Sequence, residues 1–163
     1  MESSESEEII MPQDFLPVAE RIGMAIAIDR WVLYRTIQEY TKRLKQGKTT
    51  RFFIKLSASS LKDETLLDWL SYQIKEKKIP AHTLNFEVKE TVAVTNLKNA
   101  KTLSHKLKEI ECGFVLDDFG TGTNPFQLLE HIHVDYVRIE SSFMENLAEN
   151  PQNQESIRSI AEQ

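Results

Sequence analysis

The sequence predicts an α/β protein built as a (β/α) barrel, and three observations carry that expectation. Strand-like and helix-like patterns alternate from about residue 51 onward, the rhythm of parallel strands joined by right-handed crossovers. Each of four strand-like segments turns polar at its C-terminal end: Lys55 and Ser57, then Glu87, Lys89 and Glu90, then Asp117 and Asp118, then Arg138 and Glu140. Four contributing strands favour a barrel, whose strand ends converge on one face, over an open doubly wound sheet, which binds ligands mainly at one switch point. Neither a G-x-G-x-x-G turn nor a P-loop follows the first strand.

Taken in order, residues 1–9 read as a disordered acidic tail or the edge of a cut chain, and 10–163 as the folded part. Pro12 opens a short helix with Phe15, Leu16, Val18 and Ala19 on its apolar side, and Gly23 closes it. A longer helix from about Asp29 to Lys45 carries Trp31, Val32, Tyr34, Ile37 and Tyr40 near helical spacing. Strands are predicted over 51–57, 84–90, 113–117 and 134–140, where β-branched and aromatic residues concentrate. Helices are predicted over 63–77, 96–110 and 125–131, then over 142–148 and 153–162 on either side of Pro151. Trp31 and Trp69 are assigned to the core.

Length and composition narrow the function. The chain has 163 residues, 40% of them hydrophobic and 28% charged, the profile of a soluble domain with a real core. A net charge of -5 argues against general nucleic-acid binding, which needs a basic face. Cys112 is the single cysteine, so no intrachain disulfide forms, and it reads as a small buried residue rather than a nucleophile. The acidic N-terminus lacks the features of a signal peptide, and the apolar run from Ile22 to Ile28 is too short to cross a bilayer, so a cytoplasmic protein without a membrane segment is expected.

Leu116-Asp117-Asp118-Phe119-Gly120-Thr121-Gly122 sets two carboxylates where an apolar strand stops and a Gly-containing loop begins. Carboxylates there can hold a divalent cation, with Glu87 supplying another oxygen from the neighbouring strand. Asp and Gly also favour turns on their own, and both readings stay open from composition. Asp118-Phe119-Gly120 spells a kinase motif, yet the H-R-D loop and the V-A-I-K lysine are missing. His131-x-His133 precedes a strand at its N-terminal end, away from the polar face, with no converging ligand. Lys55 alternates with Phe53 and Ser57 opposite Phe52, Ile54 and Leu56, so a barrel would turn it inward as a ligand or charge partner.

Asp117-Asp118-Phe119-Gly120-Thr121-Gly122, followed by Val134-Asp135-Tyr136-Val137-Arg138-Ile139-Glu140 and Ser142-Phe143, resembles the Glu-Ala-Leu (EAL) domain family, which cleaves cyclic di-GMP. The segment from Pro12 to Glu20, the segment Asp29-Arg30-Trp31-Val32-Leu33 and Glu87-Val88-Lys89-Glu90 match the family in order. The resemblance implies a TIM-like barrel, here partial, with about four βα units and N-terminal helices, lacking the first strand and the last ones. It implies metal-ligand positions at Glu87, Asp117 and Asp118, catalytic positions at Asp118 and Arg138, and a loop-stabilising position at Glu90. Cyclic di-GMP contacts are implied at Asp29, Lys55, Arg138 and Glu140, and Mg or Mn would serve as the metal.

Several residues depart from the family pattern. Lys55 stands where active members carry a metal-binding Asn, and an ammonium has no lone pair to donate. Arg138 replaces a catalytic Lys and stays charged, so it can hold phosphate but cannot act as a base. Glu140 replaces an Asp, and Thr123-Asn124-Pro125-Phe126 departs from Tyr-Ser-Ser-Leu. The Asn-Pro-Phe stretch resembles FimX-like regulators, which act through PilZ-type partners. The expectation is therefore a degenerate EAL domain that binds cyclic di-GMP or relays its signal without hydrolysis, its metal binding weakened or lost. The alternatives are an active phosphodiesterase giving pGpG and an interaction module without ligand. A PilZ-type adaptor, upstream GGDEF or sensor domains and self-association are the partners expected with it.

Overall fold

The computed structural model describes residues 11–122 and 125–162. The tail over 1–9 and the departure at Thr123-Asn124 lie outside the described residues. Helix α1 (Pro12–Arg21) leads through Gly23, at φ +76°, into α2 (Ala25–Lys45). The sheet then begins: β1 (Phe52–Lys55), a 3-10 turn (Ser60–Lys62) and α3 (Glu64–Lys77), followed by β2 (Leu84–Lys89), α4 (Glu90–Thr95) and α5 (Leu97–Glu109). β3 (Gly113–Phe119), α6 (Pro125–Leu129), β4 (Tyr136–Ile139), a second 3-10 turn (Ser141–Met144) and α7 (Pro151–Ala161) complete the order.

The four strands form one parallel sheet in the order β1-β2-β3-β4. Successive parallel strands in sequence order are how a barrel wall is laid down. The sheet also curls. Phe53 on β1 and Tyr136 on β4 meet edge to face with ring centroids 6.0 Å apart, although two strands separate them. On the convex side, Ile54, Leu84, Phe86, Val88, Phe114, Leu116 and Phe119 are buried with Leu33, Ile37, Leu66, Leu70, Leu103 and Leu107 of α2, α3 and α5. Each such side chain contributes about 1.5–3 kcal/mol on leaving water. The concave side carries Phe53, Lys55, Asn85, Glu87, Val115, Asp117, Tyr136 and Arg138, the alternate positions of the same strands.

Several expected boundaries shift. α2 starts at Ala25 rather than Asp29, because its buried stripe is Ala25, Asp29, Leu33, Ile37 and Tyr40. Trp31 lies off that stripe and is 63% exposed, with Arg35 stacked 5.8 Å from its ring; it is a surface residue, not core. Tyr34 is exposed for the same reason, whereas Trp69 packs against the core edge as expected. Of the apolar residues expected to line α1, only Ala19 is buried. The helix expected over 96–110 is α5, and an unexpected short helix, α4, precedes it; the two are divided at Asn96, whose amide donates back to the Val92 carbonyl at 3.0 Å. Residues 142–148 form only the short 3-10 turn and irregular turns. Pro151 stands inside α7 at its start, where Asn150 Oδ1 accepts from Gln152 and Asn153 N–H.

Gly113 is required by its neighbour. It pairs with Asn85, whose side chain donates to the Phe52 and His82 carbonyls and lies over the glycine. A Cβ at residue 113 would sit 2.2 Å from Asn85 Oδ1. Gly113→Ala is expected to cost about 1–3 kcal/mol, a Tm loss of about 2–12 °C in calorimetry. In the double variant with Asn85→Ala the combined loss should be smaller than the sum of the two single losses, and strict additivity would refute the clash.

Candidate functional site

The C-terminal ends of the strands gather the site. Parallel register places Lys55 beside Glu87 and Lys89 beside Asp117. Between β3 and β4 the register jumps: Leu116 pairs with Val137 and Phe119 with Ile139, leaving Asp117 and Asp118 opposite the single residue Arg138. This is a β-bulge, and Asp118 takes the left-handed φ of +54° inside it. The bulge resets the strand's alternation, so that Leu116 and Phe119 both reach the core while the two aspartates are re-aimed at the strand end.

The two aspartates do not share a partner. Asp117 is 1% exposed; Lys55 Nζ lies 2.7 Å from its Oδ2 as an ion pair without an aligned hydrogen bond, and Arg138 Nη1 lies 3.6 Å from its Oδ1. Asp118 is half-buried and meets Lys89 Nζ at 3.0 Å. Its hydrogen bond and charge hold the Lys89 ammonium above the ordinary lysine range, so that pair persists at neutral pH and is lost only as pH rises through the raised value. Glu87, 2% exposed, is gripped through both oxygens by the Arg138 guanidinium, one contact being 3.1 Å to Oε2. Three cations thus face three carboxylates.

Glu90, 1% exposed at the start of α4, organises the following loop. Its Oε2 accepts from the backbone N–H of Gly120 at 2.8 Å and Thr121 at 3.1 Å, with Gly122 N–H at 3.4 Å. Glycine at 122 is needed here, since a Cβ would lie 2.6 Å from Glu90 Oε1. Gly120, at φ +100°, is covered by the Phe143 ring.

The remaining candidates fall elsewhere. Asp29, buried on α2, uses Oδ2 to accept from Ser57 N–H at 2.8 Å and Ser60 Oγ at 2.6 Å, fixing the turn that follows β1. Glu140, just after β4, accepts from Ser142 N–H and Oγ and caps the second 3-10 turn; the Ser142 hydroxyl holds its carboxyl below the ordinary glutamate range. His131 and His133 sit before β4, away from the carboxylates, with His133 Nε2 3.6 Å from Asp135. Cys112 is buried in the core, and burial pushes its thiol up to about 12, far from a reactive thiolate. Sequence reasoning turned Lys55 inward as a ligand or charge partner, and Asp117 is its partner; the pairing of Arg138 with Glu87 is what it missed, because the opposition of Arg138 depends on the bulge.

Set against a divalent metal, these residues do not fit. Among the described residues no three His, Cys, Asp or Glu side chains come together to hold an ion. The oxygens best placed to bind one are already covered by Lys55 and Arg138.

The EAL domain family profile matches residues 2–163. The chain belongs to the EAL domain family. Cyclic di-GMP phosphodiesterase PdeF of Escherichia coli (strain K12) is 34% identical over 156 residues, which cover 96% of this chain and 21% of that protein. The FimX EAL domain from Pseudomonas aeruginosa bound to c-di-GMP superposes with a TM-score of 0.87 at 32% identity, covering 96% of this chain and 62% of that one. The Xanthomonas citri FimX EAL domain in complex with c-diGMP gives a TM-score of 0.88 at 28% identity, with the same coverage. The chain therefore spans about a fifth of PdeF and about three fifths of the FimX EAL chains. The fold is that of the EAL barrel, a TIM-like barrel, of which the described strands form one parallel wall. No helix among the described residues is long and apolar enough to cross a membrane.

The Glu90 clamp is open to a direct test. Hydrogen bonds to a charged acceptor contribute about 1.5–3 kcal/mol, so Glu90→Ala should speed amide exchange at Gly120 and Thr121 by about tenfold or more. Exchange at Phe86 and Phe114 in the strands should keep its order. Unchanged loop protection would mean that the Phe143 contact, not the carboxylate, holds the loop.

Proposed function

We propose that this EAL domain binds cyclic di-GMP, or relays its signal, without hydrolysing it. The observation that carries the reading is Arg138. It stands half-exposed at the strand ends, opposite the bulge, and spends part of its five-donor fork on Glu87. Lys55, also exposed, has ammonium donors beyond its contact with Asp117. Phosphodiester oxygens accept from guanidinium and ammonium groups in this way. Likeness to two FimX EAL domains solved with the dinucleotide supports the ligand class. In this reading Glu87 and Asp117 hold the two cations in place, Asp118 holds Lys89, and Glu90 fixes the loop at the rim. Asp29 and Glu140 act through the turns that they cap. A PilZ-type adaptor, upstream GGDEF or sensor domains and self-association are partners that the same reading implies for a longer protein.

The second reading is a metal-dependent phosphodiesterase giving pGpG. The 34% identity to PdeF favours it, and Glu87, Asp117 and Asp118 would be its metal ligands and Asp118 its catalytic carboxylate.

Calorimetry with cyclic di-GMP in the presence of a chelator separates the two, followed by product analysis with added Mg²⁺ or Mn²⁺. Saturable binding in chelator and intact dinucleotide after incubation are expected. Arg138→Ala should weaken binding about 10- to 100-fold, the effect of losing a charged hydrogen bond. Metal-dependent pGpG would overturn the first reading in favour of the second, and absence of binding heat would overturn it in favour of an interaction module.

A further inference from the structure

We propose that Lys55 and Arg138 are the resident cations of the strand-end site, supplied by the chain in place of a divalent metal, so that Glu87 and Asp117 do not take up Mg²⁺ or Mn²⁺. The inference concerns charge and metal alone, and it stands independently of the ligand reading.

Glu87 and Asp117 are 2% and 1% exposed. Ionised carboxylates at that depth require compensating charge. The chain provides it with matching magnitude: one ammonium and one guanidinium carry the two positive charges that a single divalent ion would bring. Placement matches as well. Asp117 Oδ2 is buried and has no aligned hydrogen bond, and Lys55 Nζ lies 2.7 Å from it. A Mg²⁺ would need to sit about 2.0–2.1 Å from that oxygen, in space next to an ammonium that repels it. Both Glu87 oxygens are engaged by the Arg138 fork, whose charge repels a cation brought beside them. The third carboxylate, Asp118, is drawn away to Lys89.

The arrangement follows from sequence position. Parallel register sets Lys55 level with Glu87, and the β3 bulge sets Arg138 opposite Asp117 and Asp118. Across the wall the order is cation, carboxylate, carboxylate, cation. Glu87 and Asp117 stand on the two inner strands and Lys55 and Arg138 on the two outer ones, while Lys89 of β2 is taken by Asp118.

Chelator-treated protein titrated with Mn²⁺, read by electron paramagnetic resonance of free Mn²⁺ and by thermal unfolding, tests the assignment without any activity measurement. The expected result is no saturable Mn²⁺ uptake and no Tm shift for the unaltered chain. Lys55→Asn should lower Tm, since it leaves Asp117 only the more distant Arg138 contact, and Mn²⁺ should then restore part of the loss. Arg138→Gln, which releases Glu87, serves as the second variant with the same readouts. Saturable Mn²⁺ uptake by the unaltered chain that disappears in Asp117→Asn would overturn the proposal. So would variants that show neither the Tm loss nor a Mn²⁺ response. Loss of the proposal leaves dinucleotide binding in chelator intact, and failure of that binding leaves the Mn²⁺ result intact, so the two failures are told apart.

Discussion

Four carboxylates lie buried among the described residues, and compensating them shapes most of what surrounds the strand ends: Asp29, Glu87, Glu90 and Asp117. An ionised group taken out of water costs several kcal/mol unless hydrogen bonds or an opposite charge replace the solvent. Each of the four meets that demand differently. Asp29 takes a backbone N–H and a serine hydroxyl and thereby fixes the turn after β1. Glu90 takes successive backbone N–H groups and thereby fixes the loop after β3. Glu87 and Asp117 take side-chain cations and thereby fix Arg138 and Lys55. Turns, loop and cations are ordered because the acids are buried, and removing any one acid would release a different part of the face.

The β3 bulge decides which acid meets which cation. In regular alternation Asp118 would point to the same side as Leu116, toward the hydrophobic layer, where it has no partner. The extra residue corrects the phase and returns Phe119 to the core. Asp118 occupies a backbone region unfavourable for a residue with a Cβ, at about 1–2 kcal/mol, although aspartate tolerates it better than most. Core burial of Phe119 and the Glu90 clamp on the next residues offset that strain, so the bulge is held from both sides.

Much of this was legible in the sequence, and the limits are physical. Strand positions followed from runs such as Phe52-Phe53-Ile54 and Phe114-Val115-Leu116, because parallel strands buried on their convex face need apolar residues there. The polar strand ends marked out the candidate face, and the alternation of Phe53 and Lys55 against Ile54 set the lysine on the concave side. Helical faces were less legible. Trp31, Tyr34 and Tyr40 share a loose periodicity, but small and polar Ala25 and Asp29 belong to the buried stripe while Trp31 and Tyr34 do not. Hydrophobicity alone ranks those residues in the wrong order when an aspartate has a structural hydrogen bond waiting. The Arg138–Glu87 pair was not legible because it joins residues 51 apart across a register that a bulge has shifted.

Replacing a metal by tethered side chains changes what such a constellation can do. A divalent ion gathers oxygens from any direction, keeps water in its shell and acidifies that water. Ammonium and guanidinium groups balance the same carboxylate charge but bring only N–H donors, with no coordinated water to activate. Their geometry is directional, and the guanidinium fork suits planar or bidentate acceptors such as phosphate. Their effective concentration is set by the covalent chain and does not fall when free metal is scarce. Under the proposed assignment, an EAL wall carrying Lys55 and Arg138 at its mouth would keep an electrostatic frame suited to a phosphodiester and would lack the metal-bound water that attacks one.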